Sequence, residues 1–336
     1  MESLATPTPR DLGPQLAERR ERLQAMARAR PHDERLSWLL GEVDAALDRL
    51  SAGSFGLCET CHEAIEPEHL DCNPISRFCL EHLSPPEQRA LEEDMEAAAR
   101  IQRALLPRQA TAAPGWDLAF AFEPAGPVSG DFCVVLPHEG SGLTTFLLGD
   151  VSGKGIPAAM LAASLQATVQ SLAAPGVSAA SLVERTNRVF RGAAVARSFA
   201  TLVCGHAWAT GTLQLCNAGH CPPLLLAGGE VRELPPTGLP VGTFYSTAYG
   251  QHELSLSEGD ALVLFTDGLT EARDARGAEY GSERLARLLA RLSPRPAAGV
   301  VAACLEDLHA HAAGRDDDLS LLVLRRTAPA PGGSRN

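Results

Sequence analysis

Residues 149–159 read Gly149-Asp-Val-Ser-Gly-Lys-Gly-Ile-Pro-Ala-Ala159. The stretch closes an apolar run at 143–151 and opens an alanine-rich run at 156–173, so it is a strand-to-helix turn with an aspartate at the strand end. Two familiar motifs fail on it. Gly149-x3-Gly153-Lys154-Gly155 is one residue short of a phosphate-binding P-loop and lacks the Ser or Thr after the lysine. Ser152 stands one place late for the nucleophile elbow of a serine hydrolase.

The same arrangement recurs outward along the chain. Ser129-Gly130-Asp131, Thr266-Asp267-Gly268 and Asp316-Asp317-Asp318-Leu319-Ser320 each place aspartate where an apolar run meets a turn. Any one of them is ordinary turn chemistry, because Asp-Gly favours β-turns. Together they are carboxylates able to converge on hard cations, with glycines that let carbonyls and a phosphate approach closely. Two such ions would clamp a water for in-line attack at phosphorus. Apolar runs at 117–123, 130–136, 143–151, 199–208, 212–217, 223–227, 260–266 and 319–325 read as strands. Residues 156–173 and 178–193 read as one helix pair, 281–292 and 296–313 as another, giving a layered α+β or α/β domain.

Seven stretches carry a resemblance. They are Ala99-Arg-Ile-Gln-Arg-Ala-Leu-Leu-Pro107, Ser129-Gly-Asp-Phe132, residues 149–159, Asn217-Ala-Gly-His-Cys-Pro-Pro223, Leu239-Pro-Val-Gly242, Phe265-Thr-Asp-Gly-Leu-Thr-Glu271 and Asp317-Asp-Leu-Ser-Leu-Leu-Val323. In this order over residues 97–326 they resemble the metal-dependent serine/threonine phosphatases of the protein phosphatase 2C (PPM) superfamily, in the branch of RsbU and SpoIIE. The resemblance implies an α-β-β-α sandwich, with two central sheets flanked by helices. It implies two Mn²⁺ or Mg²⁺ ions bridged by Asp150, with the Val151 carbonyl and Asp131 completing one and Asp267 and Asp317 the other. Asp318 is a neighbour within a run of three aspartates. It also implies a phosphoprotein substrate, in this branch an anti-sigma-factor antagonist. Cys221 and Ser320 depart from the family's usual residues. His220 is either a proton donor to the leaving group or a structural residue of its turn.

Ahead of this domain stands Cys58-x2-Cys61-x17-Cys79-x2-His82. Two chelating turns at this spacing read as a structural zinc site, with Cys72, His62 and His69 as alternatives to His82 for the fourth ligand. Asp44-Ala-Ala-Leu-Asp-Arg-Leu-Ser-Ala-Gly-Ser-Phe-Gly-Leu-Cys58-Glu-Thr-Cys61-His-Glu-Ala-Ile65, continuing through Asn73-Pro-Ile-Ser-Arg-Phe-Cys79, resembles the DksA/TraR zinc finger. His82 replaces that family's last cysteine. The preceding hairpin turn, Ala29-Arg-Pro-His-Asp-Glu34, lacks the paired-aspartate tip with which such regulators enter RNA polymerase. The resemblance thus implies a fold and a zinc ion, not polymerase binding.

Residues 14–30 and 34–51 have helical periodicity, the second with Leu36, Leu39, Leu40, Val43, Leu47 and Leu50 in one stripe. Ser84-Pro-Pro-Glu87 is a capping box opening a helix that Pro107 stops. In it Leu91, Met95, Ala98, Gln102 and Leu105 form a brief heptad seam, which either packs on its own domain or pairs two copies into a homodimer. The expected organisation is a disordered 1–13, a helical hairpin and finger at 14–83, a linker or switch helix at 84–107, a phosphatase domain at 108–326 and a disordered tail at 327–336.

Composition narrows the partners. Asp+Glu number 41 against 29 Lys+Arg, a formal charge of −12, which argues against general binding to nucleic acid or anionic lipid. Of the 29 basic residues, only Lys154 is lysine. No signal peptide or membrane-length apolar run is visible, and four of nine cysteines fall in one cluster, so a cytoplasmic protein is expected. The expected function is a metal-dependent protein phosphatase regulated through its finger. The alternative is a transcription-associated zinc-finger binding protein with an inactive phosphatase domain; retention of every aspartate weighs against it.

Overall fold

The computed structural model describes residues 9–30, 32–107, 110–193, 198–244, 247–292, 295–314 and 317–328. Contacts group the chain into two compact units, Met1–Asp94 and Met95–Asn336. The tail expected to be disordered lies, from residue 329, outside the described residues.

In the first unit, α1 (Pro9–Ala29) and α2 (Glu34–Ala52) form the hairpin. Asp33 caps α2 by accepting from the N–H groups of Arg35 and Leu36, and Gly53 ends it at φ 75°. Helix α1 begins earlier than the sequence pattern implies: residues 9–13, expected to lack structure, are its first turn, while residues 1–8 lie outside the described ones. Burial of Leu12 and Leu16 outweighs the poor helix propensity of Gly13 and Pro14. Gly13 is also where a side chain would crowd Leu50. One core joins hairpin and finger, built from Leu16, Leu23, Val43, Ala46, Phe55, Cys58, Ile65, Leu70 and Cys79. A short α3 (Pro67–Cys72) lies between the two chelating turns.

Helix α4 (Pro85–Leu105) starts as read: Glu87 accepts from both the N–H and the hydroxyl of Ser84. The unit boundary falls within it, because Ala99 and Gln102 near its end are buried in the second unit.

The second unit contains two antiparallel sheets. One runs β1 (Ala110–Ala113), β2 (Trp116–Glu123), β11 (Leu319–Arg326), β10 (Ala261–Phe265), β7 (Leu224–Ala227), β8 (Glu230–Glu233). The other runs β3 (Asp131–His138), β4 (Leu143–Val151), β5 (Ala200–Trp208), β6 (Thr212–Ala218), β9 (His252–Ser255). Leu118, Phe120, Leu262, Leu264, Leu322 and Leu324 of the first meet Phe146, Leu148, Val203, Leu213 and Leu215 of the second. The alternate residues face outward. Phe132, Leu147 and Leu202 pack on α5 (Gly155–Leu172) and α6 (Ala179–Ala193), and Val263, Leu321 and Val323 on α8 (Ser282–Leu292) and α9 (Ala297–His311). The unit is therefore the four-layer α-β-β-α sandwich. With both faces of each sheet covered, its central strands are apolar at nearly every position. Four residues after β10, Asp267–Thr270, form the single turn α7.

Candidate active site and metal centres

Two antiparallel strand pairs, one in each sheet, put the second unit's aspartates together. Asp131 opens β3 and Asp150 ends β4, and they are direct partners in the β3–β4 register. Asp267 follows the end of β10, and Asp317 and Asp318 immediately precede β11, which pairs with β10. Thr266 fastens the two sheets at this point. Its hydroxyl donates to Asp131 Oδ2 (2.9 Å) and accepts from Ser320 N–H (2.9 Å).

Glycines keep the space open. A Cβ on Gly130 would stand 2.9 Å from both Asp150 Oδ1 and the Val151 carbonyl oxygen, so both oxygens border the same volume. A Cβ on Gly268 would collide with the Asp318 carbonyl. The two oxygens of Asp318 are taken by backbone donors, Ala125 N–H (2.8 Å) and Gly130 N–H (3.0 Å). Asp317 instead faces Lys154, whose Nζ lies 3.3 Å from its Oδ1. Asp316 lies outside the described residues.

Crowded acids resist ionisation. Burial, then the charges of Asp267, Asp317 and Asp318, push Asp150 up to about 7. Burial and Asp150 raise Asp131, and burial and Asp317 raise Asp267. Oxygen donors that converge, repel one another and border a space a methyl would fill suit divalent cations with oxygen ligands. Asp131, Asp150, Asp267, Asp317 and the Val151 carbonyl therefore fit Mn²⁺ or Mg²⁺ in donor chemistry.

Ser152, Cys221 and His220 are neighbouring side chains of nucleophilic or basic type. Ser152 Oγ accepts from Phe199 N–H (3.1 Å). Burial, then the charge of Asp267, pushes the Cys221 thiol up to about 12, which keeps it protonated. His220 is buried and pushed down to about 4 by that burial, with Nδ1 2.8 Å from Thr201 Oγ1. Asn217 exchanges two hydrogen bonds with the His220 backbone, so the Asn-Ala-Gly-His stretch is a braced turn.

Two positioning residues stand out only in the fold. Gln102, read as a polar residue in a heptad seam, is buried and grips Ser129 from both sides: Nε2 donates to the Ser129 carbonyl (2.6 Å) and Oε1 accepts from its N–H (3.0 Å). Ser129 Oγ in turn accepts from Asp131 N–H (3.0 Å). Thr266 carried only the signal of preceding Asp267.

In the first unit the ligand atoms of Cys58, Cys61, Cys79 and His82 all lie within 4.8 Å of one another. Cys61 Sγ is 3.9 Å from Cys79 Sγ, which is 3.1 Å from His82 Nδ1. Burial alone would raise the Cys58 thiol, but N–H groups of Cys61, Cys79 and Thr60 outweigh it and bring it to about 6. Three sulfurs and an imidazole at this separation suit a tetrahedral zinc ion. Of the alternative ligands, His62 occupies the turn at φ 59° and His69 bonds Ser76 Oγ (2.9 Å). The Cys72 side chain lies outside the described residues.

Comparison with known proteins adds the lineage. Residues 140–327, more than half the chain, match the family described as Stage II sporulation protein E (SpoIIE). The chain belongs to the SpoIIE family. This SpoIIE-family chain is 28% identical over 193 residues to phosphoserine phosphatase RsbU of Bacillus subtilis, covering 56% of the chain and 57% of RsbU. It thus spans little more than half the length of that relative. It is similar in structure to the RsbU and RsbW domains of a Mycobacterium tuberculosis protein, with TM-score 0.59, 30% identity, and 65% of this chain and 63% of that one covered. The SiaA-PP2C domain of Pseudomonas aeruginosa aligns with TM-score 0.63 and 25% identity, over 71% of this chain and 98% of that domain. No helix among the described residues is long and apolar enough to cross a membrane.

Proposed function

We propose that this SpoIIE-family chain is a Mn²⁺- or Mg²⁺-dependent phosphatase of phosphoserine and phosphothreonine in proteins. The convergence of Asp131, Asp150, Asp267 and Asp317 at one end of the two sheets carries the reading. Asp131, Asp150, Asp267, Asp317 and the Val151 carbonyl would hold the two ions, with Asp150 the carboxylate they would share. Bound divalent ions supply positive charge against the phosphoryl oxygens and activate a water for in-line attack. The chain's own part is placement. Thr266 fixes the rotamer of Asp131, Gly130 and Gly268 keep backbone and carboxylates close, and buried walls hold the acids where their repulsion is relieved by ion binding.

The substrate class follows relatives. RsbU is named a phosphoserine phosphatase, and the mycobacterial protein joins RsbU to RsbW domains. The substrate proposed here is a phosphorylated anti-sigma-factor antagonist. The finger binds one structural zinc through Cys58, Cys61, Cys79 and His82. It acts on the site through α4, which starts three residues after His82 and carries the Gln102 clamp on Ser129.

Hydrolysis of a phosphoserine protein with Mn²⁺ tests the activity. Asp150→Asn and Asp267→Ala should each lose two or more orders of magnitude, the scale of removing a main electrostatic stabiliser. Equal rates in wild type and both variants would refute the assignment. Deleting residues 1–83 tests regulation: unchanged activity, Mn²⁺ affinity and oligomeric state would refute a regulatory finger.

A further inference from the structure

Lys154 is the one lysine in a chain with 29 basic residues. Gly153 (φ 100°) and Gly155 (φ 75°) flank it in the left-handed region, so the loop is shaped by residues without side chains and the lysine is what it projects. Its side chain is 69% exposed, yet Nζ reaches Asp317 Oδ1 at 3.3 Å. Among the described residues it is the only cation within ion-pair distance of Asp131, Asp150, Asp267 or Asp317.

A phosphomonoester dianion must enter a space walled by carboxylates. Positive charge is needed on the substrate side as well as beneath the acids. An arginine here would grip Asp317 with a planar fork; an ammonium on a flexible stem is a point charge with freely rotating donors and exchanges partners readily. An ion pair this exposed is worth only about 0–1 kcal/mol, so giving it up costs little. Once Asp317 is committed to a divalent ion, its attraction for the ammonium falls further.

We infer that Lys154 is a phosphate-binding residue of the site, its ammonium passing from Asp317 to a non-bridging oxygen of the bound phosphoryl group. The inference rests on the phosphatase reading, and the competing role is that Lys154 only steadies Asp317. Calorimetric titration of inorganic phosphate into the Mn²⁺-loaded full chain separates them, run on wild type, Lys154→Met and Lys154→Arg beside a Mn²⁺ titration. Loss of one charge-assisted contact should weaken phosphate binding about tenfold in Lys154→Met and raise KM for a phosphoserine peptide more than it lowers kcat. Lys154→Arg should recover part of the phosphate affinity, and the Mn²⁺ affinity of Lys154→Met should not fall. Phosphate affinity and KM within twofold of wild type in Lys154→Met would overturn the inference. So would a drop in Mn²⁺ affinity with phosphate binding intact. A wild type that neither hydrolyses the peptide nor binds phosphate would overturn the phosphatase reading itself, whereas an active wild type matched by Lys154→Met overturns the lysine's role alone.

Discussion

Gly268 shows what the absence of one side chain decides. In sequence it belongs to an Asp-Gly pair and reads as a turn residue; in the fold it is buried, and the backbone of 317–318 lies against its Cα. That closeness brings Asp317 up to Asp267. Gly268→Ala should cost about 1–3 kcal/mol through overpacking and displace Asp317, so activity and Mn²⁺ affinity both fall. Gln102 acts on the other wall. Gln102→Leu keeps the volume but leaves the Ser129 N–H and carbonyl without their partners, at about 1–3 kcal/mol. Urea unfolding and the Mn²⁺ concentration for half-maximal activity are the readouts, and no change in either would show the clamp to be idle. Lone polar residues such as Gln102 and Thr266 are poorly legible in sequence, because what they bond is 27 and 135 residues away.

Elements were legible in proportion to how much apolar surface they cover. Strands β2–β7, β10 and β11 bury side chains and stand out as apolar runs. The three that carry no such signal, β1, β8 and β9, are all edge strands, and Glu230-Val-Arg-Glu233 and His252-Glu-Leu-Ser255 contribute backbone hydrogen bonds and few apolar side chains. Helix α1 failed at its start for the opposite reason, since tertiary burial of Leu12 overrode local signals. The finger's chelating turns supply Cys58 and Cys79 to the same core as Phe55 and Ile65. The purified chain should hold one zinc ion, and Cys58→Ser should lose it and expose residues 54–83 to limited proteolysis. A zinc-free wild type resistant to protease there would count against a structural metal.

For the whole molecule, the acid cluster sets how stability depends on pH. Asp150 holds its proton up to about 7 in the fold, against 3.8 in the unfolded chain. Between those values the folded state binds the extra proton, so the contribution is intact below about 4 and lost as pH rises through 7. His206 and His220, each pushed down to about 4 by burial, act with the opposite sign below pH 6.5. Comparing wild type with Asp150→Asn isolates the carboxylate. Without divalent ions the variant should melt higher than wild type at pH 8, with the advantage shrinking toward pH 5. Saturating Mn²⁺ should reverse the order at pH 8, because only wild type keeps the carboxylate proposed to hold the ions. A metal-free variant less stable than wild type at pH 8 would contradict the crowding of these acids.

Strand β11 follows the other strands of its sheet in sequence yet sits in the middle of it, between β2 and β10, with Asp317 at its threshold. During synthesis, residues up to 316 can be made without closing that sheet: β2 and β10 have no partner between them until the final strand emerges. A nascent chain cut short before Asp317 therefore lacks both the central strand of this sheet and one wall of the acid cluster. The gap fills, and Asp317 comes to lie beside Asp267, only when β11 pairs with β2 and β10.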